Sequence, residues 1–219
     1  MKTINYLLIG VVLVSFAASA GASDWTKDLY FNADVGSAFQ QNTVIHESFG
    51  QTANTTYNPG IRADIALGYN LNNSWAVELS TGVIWNTMDQ VNGVALSSFN
   101  QTFDTYIIPN LVNVIYKIPT KGSWKPYLGA GVGSVVSIAS IHAGNYTGGT
   151  LDLSDSDFTF AYQAGAGLDY SLTKNISIGV SYKFLGMMSQ SWYMKSFHNR
   201  LSTDAIYTHA ILINLNWRF

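Results

Sequence analysis

Apolar and polar residues alternate with a period of two through most of this chain. The clearest segment is 60–70, where Ile61, Ile65 and Leu67 on one face alternate with Arg62 and Asp64 on the other. This alternation is typical of a β-strand whose two faces meet different surroundings. Eight such segments, each about ten or more residues long, occupy 29–39, 60–70, 74–86, 103–118, 125–139, 158–170, 175–185 and 205–219. The pattern predicts an all-β fold of eight strands.

The connections between these segments alternate in length. Three are short, at 71–73, 119–124 and 171–174, whereas four are long, at 40–59, 87–102, 140–157 and 186–204. Short turns at one end of a barrel and long loops at the other are typical of antiparallel barrels that cross a membrane. Pro109 interrupts the fourth segment, and because proline cannot donate a backbone hydrogen bond we expect a bulge or a strand start there.

The apolar face of the strands indicates a membrane protein. A water-soluble barrel has an apolar interior and a polar outside, but here the face opposite the apolar one holds Asn, Asp, Arg, Glu, Lys, Ser and Gly. Only 11% of the residues are charged, against about a quarter in soluble domains. After the first twenty residues no apolar run reaches the roughly 20 residues that a membrane helix needs. We therefore predict an eight-stranded antiparallel up-and-down transmembrane β-barrel.

The N-terminus predicts export. Lys2 precedes an apolar stretch at 6–18, and small residues at alternate positions follow it, so cleavage is expected after Ala20 or Ala22. A signal peptide at 1–22 and one barrel domain at 23–219 are the expected organisation.

Three segments carry a resemblance to a known family: 126–133 (PYLGAGVG), 164–184 (AGAGLDYSLTKNISIGVSYKF) and 211–219 (ILINLNWRF). With them the chain resembles the bacterial outer-membrane β-barrel superfamily, in particular the small barrels of the OmpA, OmpX and opacity-protein type. The resemblance implies a location in the Gram-negative outer membrane, in contact with membrane lipid and lipopolysaccharide. It also implies that the last strand, with Trp217 and Phe219, is an assembly signal read by the barrel-assembly machinery.

Charged residues on the inward face predict a plugged interior. An eight-stranded barrel is just wide enough for its side chains to fill it, and buried charges must be paired. Lys117 joins the inward set only if the strand keeps its register past Pro109. We expect ion pairs and hydrogen bonds across the lumen among Asp34, Arg62, Asp64, Glu78, Asp169, Lys183 and Arg218. The alternative is that these residues lie near the barrel mouths, solvated and unpaired.

No catalytic, cofactor or metal site is predicted. The chain has no cysteine, and a formal charge of −2 gives no reason to expect a nucleic-acid partner. His209 faces the lipid side by its parity. The lipid-A deacylases of the resembling superfamily have Ser two residues after such a His, but this chain has Ile211 there.

The last long loop combines aromatic and basic residues, Trp192, Tyr193, Lys195 and Arg200. These could bind lipopolysaccharide phosphates or a host glycan by charge and stacking, or they could simply be solvated at the barrel rim. We therefore expect a non-enzymatic barrel with a structural or surface-interaction role. The alternatives are a channel for small solutes and, third, a lipid-A-modifying enzyme at the rim.

Overall fold

A computed structural model of the chain describes residues 27–47, 52–99, 101–143, 157–194 and 199–219. Nearly all of them are in β-strands, and one short 3₁₀ helix spans Leu96–Phe99. The strands are β1 Leu29–Gln40, β2 Thr43–Glu47, β3 Thr52–Tyr57, β4 Gly60–Asn70, β5 Trp75–Val91, β6 Val94–Ala95, β7 Gln101–Lys117, β8 Trp124–Ala143, β9 Asp157–Ser171, β10 Ile176–Met187, β11 Ser191–Met194, β12 Asn199–Thr203 and β13 Ile206–Arg218. No helix within these ranges is long and apolar enough to cross a membrane.

Eight long strands close on themselves. Around the barrel they run β1, β4, β5, β7, β8, β9, β10 and β13, and each neighbouring pair is antiparallel. The ring closes where β1 pairs with β13 over eleven residue pairs, from Tyr30 opposite Arg218 to Gln40 opposite Thr208. This confirms the predicted eight-stranded antiparallel barrel. The predicted strand limits agree with the observed ones within two residues for most strands.

The two faces of the barrel wall differ as the alternation predicts. Val35, Ile61 and Ile213 point outward and are more than half exposed, whereas Arg62, Asp64 and Asn214 point inward and are buried. Aromatic rings pair on the outer face at both ends of the strands. Trp75 and Tyr116 lie near the short turns with ring centroids 4.8 Å apart, and Trp85 and Tyr106 lie near the long loops at 6.3 Å.

The predicted bulge or strand start at Pro109 is wrong. β7 is continuous, and its register against β8 is unchanged from Gln101 opposite Ala143 to Lys117 opposite Tyr127. Against β5 the register is also the same on both sides of the proline, although the ladder has no pair between Thr81–Asn110 and Ile84–Ile107. The missing proline N–H therefore removes one hydrogen-bond donor without shifting the strands. Lys117 keeps its inward parity as a result.

Among the described residues, three of the four predicted long loops contain additional strands, and two barrel strands extend into the ranges predicted as loops. β5 extends to Val91 and β8 to Ala143. β2 and β3 form a hairpin within 40–59, and β11 and β12 form another within 186–204. The two hairpins join because β12 pairs with β2, while β3 pairs with the end of β5 and β6 adds to β5 beside it. We call this six-stranded arrangement, β11-β12-β2-β3-β5-β6, the outer sheet.

The interior is not polar throughout. On the half of the barrel nearest the long loops, inward side chains form an apolar layer, which we define as Ala38, Ile84, Ile107, Leu111, Val135, Ala161, Leu185, Met187 and Ile206. Each of them is less than a twentieth exposed. The charged residues of the inward face are therefore concentrated in the half nearest the short turns.

Closure by the last strand predicts the effect of a change at its end. The Phe219 ring lies 5.2 Å from that of Trp217, and its N–H donates to the Leu29 carbonyl across the β1–β13 seam at 3.2 Å. Phe219→Asp places a charge at this seam, and an open seam leaves backbone groups unsatisfied in lipid at several kcal/mol each. We expect most of the variant to remain unassembled when heat-modifiable migration on gels is measured. Thr173→Asp, in a short turn, is the control, and equal assembly of both variants would contradict the prediction.

Candidate functional site: the barrel interior and the outer sheet

A continuous chain of side-chain hydrogen bonds crosses the lumen. At its centre Lys183 Nζ donates to Asp34 Oδ2 at 2.6 Å and to Asp64 Oδ2 at 2.9 Å. Arg62 Nε donates to both oxygens of Asp64, at 2.9 and 3.1 Å. The two cations and two carboxylates balance, so the pairs enclose no net formal charge.

Amides and a hydroxyl extend this chain to the opposite wall. Arg62 Nη2 donates to Gln163 Oε1 at 2.5 Å, and Gln163 Nε2 donates to Asn113 Oδ1 at 3.2 Å. Asn113 Nδ2 then donates to Ser80 Oγ at 2.9 Å, while Asn32 Nδ2 donates to Asp34 Oδ1 at 2.9 Å. We call these eight residues the lumen network: Asn32, Asp34, Arg62, Asp64, Ser80, Asn113, Gln163 and Lys183. They come from β1, β4, β5, β7, β9 and β10, so six of the eight barrel strands are tied together through the interior.

The lumen network is almost closed to solvent. The side chains of Arg62 and Asp64 are 1% and 3% exposed, and those of Lys183 and Asp34 are 16% and 1% exposed. Glycines on the inward face provide the necessary room. A Cβ on Gly82 would collide with the Asp64 carboxylate. The strand sequences therefore match small residues on one strand to charged residues on the next.

Three further residues predicted for the network lie elsewhere. Glu78 accepts a hydrogen bond from the Tyr30 hydroxyl at 2.7 Å, and Asp169 accepts one from the Asn214 amide. Neither carboxylate has a cation within ion-pair distance among the described residues. Arg218 keeps the inward parity but is exposed at the short-turn end of β13. The predicted ion pairing is therefore restricted to Asp34, Arg62, Asp64 and Lys183.

Lys117, Glu78 and Asp169 form a second polar group nearer the short turns. Lys117 Nζ donates to Asn70 Oδ1 and lies 4.3 Å from the centroid of the Tyr30 ring. A cavity of about 50 Å³ lies between this group and the lumen network, which is enough for about one or two water molecules. The residues that line it include Tyr30, Glu78, Lys117, Tyr127, Asp169 and Asn216.

A buried glutamine covers the apolar layer at the other end. Gln190 is 1% exposed, and its Nε2 donates to Ser137 Oγ at 2.7 Å. Its backbone carbonyl accepts from the Thr203 N–H at 2.9 Å, so the segment between β10 and β11 is held against the end of β12. From the short turns outward the lumen thus holds a small cavity, the lumen network, the apolar layer and Gln190.

The residues predicted to contact a ligand occupy the outermost hairpin. Trp192 and Tyr193 are in β11, and Arg200 is in β12, where the register pairs Tyr193 with Arg200 and Trp192 with Leu201. Lys195 lies outside the described residues. The hairpin is fixed to its neighbour because β12 pairs with β2, and because His46 Nε2 contacts Asp204 Oδ1 at 3.0 Å.

His209 lies on the outward face, as its parity predicts. Its Nδ1 is 2.6 Å from the Tyr182 hydroxyl, and its Nε2 is 2.7 Å from the Gln41 side-chain nitrogen. The Phe184 ring packs 5.3 Å from the imidazole. Both ring nitrogens are thus engaged by neighbouring side chains. In the part of the chain that the structure describes, no three His, Cys, Asp or Glu side chains gather to hold a metal ion.

The lumen network predicts the effect of removing its most buried cation. Arg62→Ala removes one of the two cations that pair with Asp64, leaving Lys183, and it removes the donor to Gln163 Oε1. Truncating one member of a buried pair costs about 3 kcal/mol or more. We expect this loss in the free energy of unfolding, measured by urea titration in phospholipid vesicles with tryptophan fluorescence. Lys121→Ala, at an exposed turn position, should change it by less than about 0.5 kcal/mol. Equal stability of the two variants would show that the network contributes little.

Comparison with known proteins gives the same architecture. Over 103 residues the chain is 32% identical to the outer membrane protein PagN of Salmonella typhimurium, which is 43% of this chain and 41% of PagN. The chain thus matches about two fifths of the length of that relative. The solved structure of OprG from Pseudomonas aeruginosa superposes with a TM-score of 0.56 at 14% identity, over 88% of this chain and 98% of OprG. The solved structure of neisserial surface protein A superposes with a TM-score of 0.52 at 19% identity, over 91% of this chain and 100% of that protein.

The fold alone does not decide whether the protein is an enzyme. The outer membrane protease OmpT from Escherichia coli also superposes, with a TM-score of 0.52 at 9% identity over 90% of this chain and 99% of OmpT. One barrel architecture therefore serves both a protease and proteins such as PagN, OprG and the neisserial protein.

The family model for the outer membrane protein beta-barrel domain matches residues 8–219, nearly the whole chain. The closed eight-stranded barrel, its apolar outer face and its aromatic rings at both strand ends agree with that match. In bacterial outer-membrane barrels the short turns are on the periplasmic side and the longer loops are extracellular. The chain belongs to the outer membrane β-barrel family and is a protein of the Gram-negative outer membrane.

Proposed function

We propose that the protein is a non-enzymatic surface-binding barrel, closed to solutes by its own side chains and carrying its binding surface on the outer sheet. The observation that supports this most directly is the order of layers in the lumen. The lumen network ties six strands together, and the apolar layer and Gln190 lie beyond it toward the exterior. A barrel filled in this way acts as a rigid support for what its loops present.

The filled lumen argues against the rival function, a channel for small solutes. A hydrated solute would have to break the buried ion pairs of Arg62 and Lys183 and then cross an apolar layer in which it finds no hydrogen-bond partner. Both steps are costly. An unpaired charge in a protein interior costs several kcal/mol of free energy, and a polar solute that enters an apolar layer loses the hydrogen bonds of its hydration shell. The small cavity beside the lumen network ends at these side chains.

The closed lumen predicts the electrical behaviour of the purified protein. In planar bilayers we expect no steady conductance above background, whereas a general porin in the same bilayer should show stepwise opening. A persistent open level in the unmodified protein would overturn the closed lumen. The channel function would then replace the surface-binding proposal.

The outer sheet supports a binding role because it presents basic and aromatic residues on a hydrogen-bonded frame. Tyr193 and Arg200 occupy paired positions of the β11–β12 hairpin. Lys195 follows β11 directly in the sequence. Basic and aromatic residues together suit a phosphate on a sugar, because charge and stacking can both contribute to binding. We therefore propose lipopolysaccharide phosphates as the ligand class, with anionic host glycans as the alternative source of the same chemistry.

We propose no enzymatic step. Among the described residues, His209 is the side chain that best fits a lipid-modifying rival, because it lies on the outward face and contacts the Tyr182 hydroxyl. The serine that the lipid-A deacylases have two residues later is replaced by Ile211. An imidazole engaged at both nitrogens within an aromatic cluster suits a structural role at the membrane boundary.

The binding proposal predicts a charge-dependent loss of affinity. With the protein in lipid nanodiscs and lipopolysaccharide immobilised, Lys195→Ala combined with Arg200→Ala should weaken binding about tenfold at low salt. Raising the salt should shrink the difference because surface charges are screened. The matched control is Lys121→Ala with Lys125→Ala, which removes the same charge at the turn before β8 and at the beginning of that strand. Immobilised heparin in place of lipopolysaccharide tests the glycan alternative. Equal binding by both double variants at low salt would contradict the role of the hairpin.

A further inference from the structure

Two polar side chains meet on the outward face of the barrel, where apolar residues are expected. The Thr81 hydroxyl of β5 donates to Asn110 Oδ1 of β7 at 2.9 Å. Asn110 is exposed, and Ser134, opposite it on β8, is half-buried on the same outward face. Polar residues that face lipid are rare and costly, and they usually mark a function.

The depth of this pair places it inside the hydrocarbon. Thr81 lies six residues from Trp75, and Asn110 six residues from Tyr116, the aromatic pair at the periplasmic end. At about 2.5 Å of height per residue in a tilted strand, this is about 15 Å above the inner aromatic pair, in an apolar band about 25 Å tall. The outer aromatic pair, Trp85 with Tyr106, lies above it.

The outward face of β5, β7 and β8 has no ring between the two aromatic pairs. Its outward positions are Val77, Leu79, Thr81, Val83, Ile108, Asn110, Val112, Val114, Ala130, Val132, Ser134 and Val136. Rings border this wall on β9, where Phe160 lies opposite Ser134 and Tyr162 opposite Val132. Small side chains allow close approach between proteins in a membrane, so the wall formed by these three strands is accessible to a partner.

The amide of Asn110 has hydrogen-bonding capacity to spare. Among the described residues its Nδ2 contacts one acceptor, the Ile108 carbonyl, at 3.4 Å, which is beyond the usual range for an N–H···O bond. An amide nitrogen has two hydrogens to donate and its oxygen can accept two bonds. Acyl chains offer no partner at this depth, so the remaining capacity can be met only by another protein.

We propose that this wall, centred on Asn110, is the contact between two copies of the chain within the membrane. Both copies are inserted with the same orientation, so a two-fold axis parallel to the membrane normal brings each residue to its own depth in the partner. An amide is self-complementary, because its donor meets the acceptor of an identical amide. A different partner would need its own polar group at the same depth, whereas a second copy has one there by symmetry.

Asn110 also has a local role in joining β5 to β7, but that role does not use its hydrogen-bond donors. Pro109 has no N–H to donate, and the β5–β7 ladder is interrupted between Thr81–Asn110 and Ile84–Ile107. The Thr81–Asn110 bond bridges the same two strands and so replaces part of what is lost. That bond uses one acceptor position of Asn110 and leaves its donors available, so the local role and the contact between copies are compatible.

The absence of cysteine from the chain allows a direct test by cross-linking in vesicles. Val112→Cys places a thiol on the proposed wall, and Ile211→Cys places one on β13, four strands away around the barrel and six residues from Trp217. With a short bifunctional thiol reagent, we expect Val112→Cys to give a dimer whose yield persists as lipid is added. Ile211→Cys should give only collisional product that falls with dilution.

Two further variants in the Val112→Cys protein test the amide and the flat wall separately. Asn110→Val should lower the dimer yield about threefold or more, the effect of losing polar contacts in a membrane interface. Ser134→Phe, which adds a ring beside Asn110, should lower it further. Heat-modifiable migration checks that each variant is folded. Equal cross-linking from Val112→Cys and Ile211→Cys, or no dimer from either, overturns the proposal. A dimer that Asn110→Val leaves unchanged overturns the role of the amide.

Discussion

The need to pair every backbone N–H and C=O in a medium without water determines this structure. A sheet in lipid has no stable free edge, so the last strand must return to the first, as β13 does to β1. Closing eight strands sets the diameter of the barrel, and that diameter leaves room for side chains and little else. The contents of the lumen are therefore a consequence of closure, and the sequence of the inward face had to be compatible with it.

The interior meets this requirement in two chemically different ways. Nearer the short turns, Arg62 and Lys183 balance Asp34 and Asp64, and amides carry the hydrogen bonds to the far wall. Nearer the long loops, the inward positions are occupied by residues such as Leu111 and Val135, which pack as in a soluble core. Ion pairs favour one arrangement of the strands, because each charge has a designated partner, while apolar packing depends less on which particular side chains meet.

Much of the barrel could be predicted from the sequence, because lipid on one side and a crowded lumen on the other impose a period of two. The same parity placed Asp34, Arg62, Asp64 and Lys183 inside, but it could not identify their partners, which depend on strand stagger. Following the alternation of β5 beyond Gly82 gives Ile84 as the next inward residue, and this position would have indicated the apolar layer. The outer sheet was missed for a physical reason. Its short strands, such as Thr52–Tyr57, are largely polar and lack a clear alternation, so their pairing is determined by neighbours distant in the chain.

The pairing of β12 with β2 has an evolutionary consequence. Backbone hydrogen bonds join the β2–β3 hairpin, which follows the first barrel strand, to the β11–β12 hairpin, which precedes the last one. The sequences of the two hairpins therefore cannot diverge independently. An insertion or a proline within Thr43–Glu47 would disturb its backbone pairing with Asn199–Thr203. Substitutions that preserve the backbone would be tolerated in both strands. Variation in such a surface should therefore consist mainly of exchanged side chains, with lengths conserved together in two regions that lie about 150 residues apart.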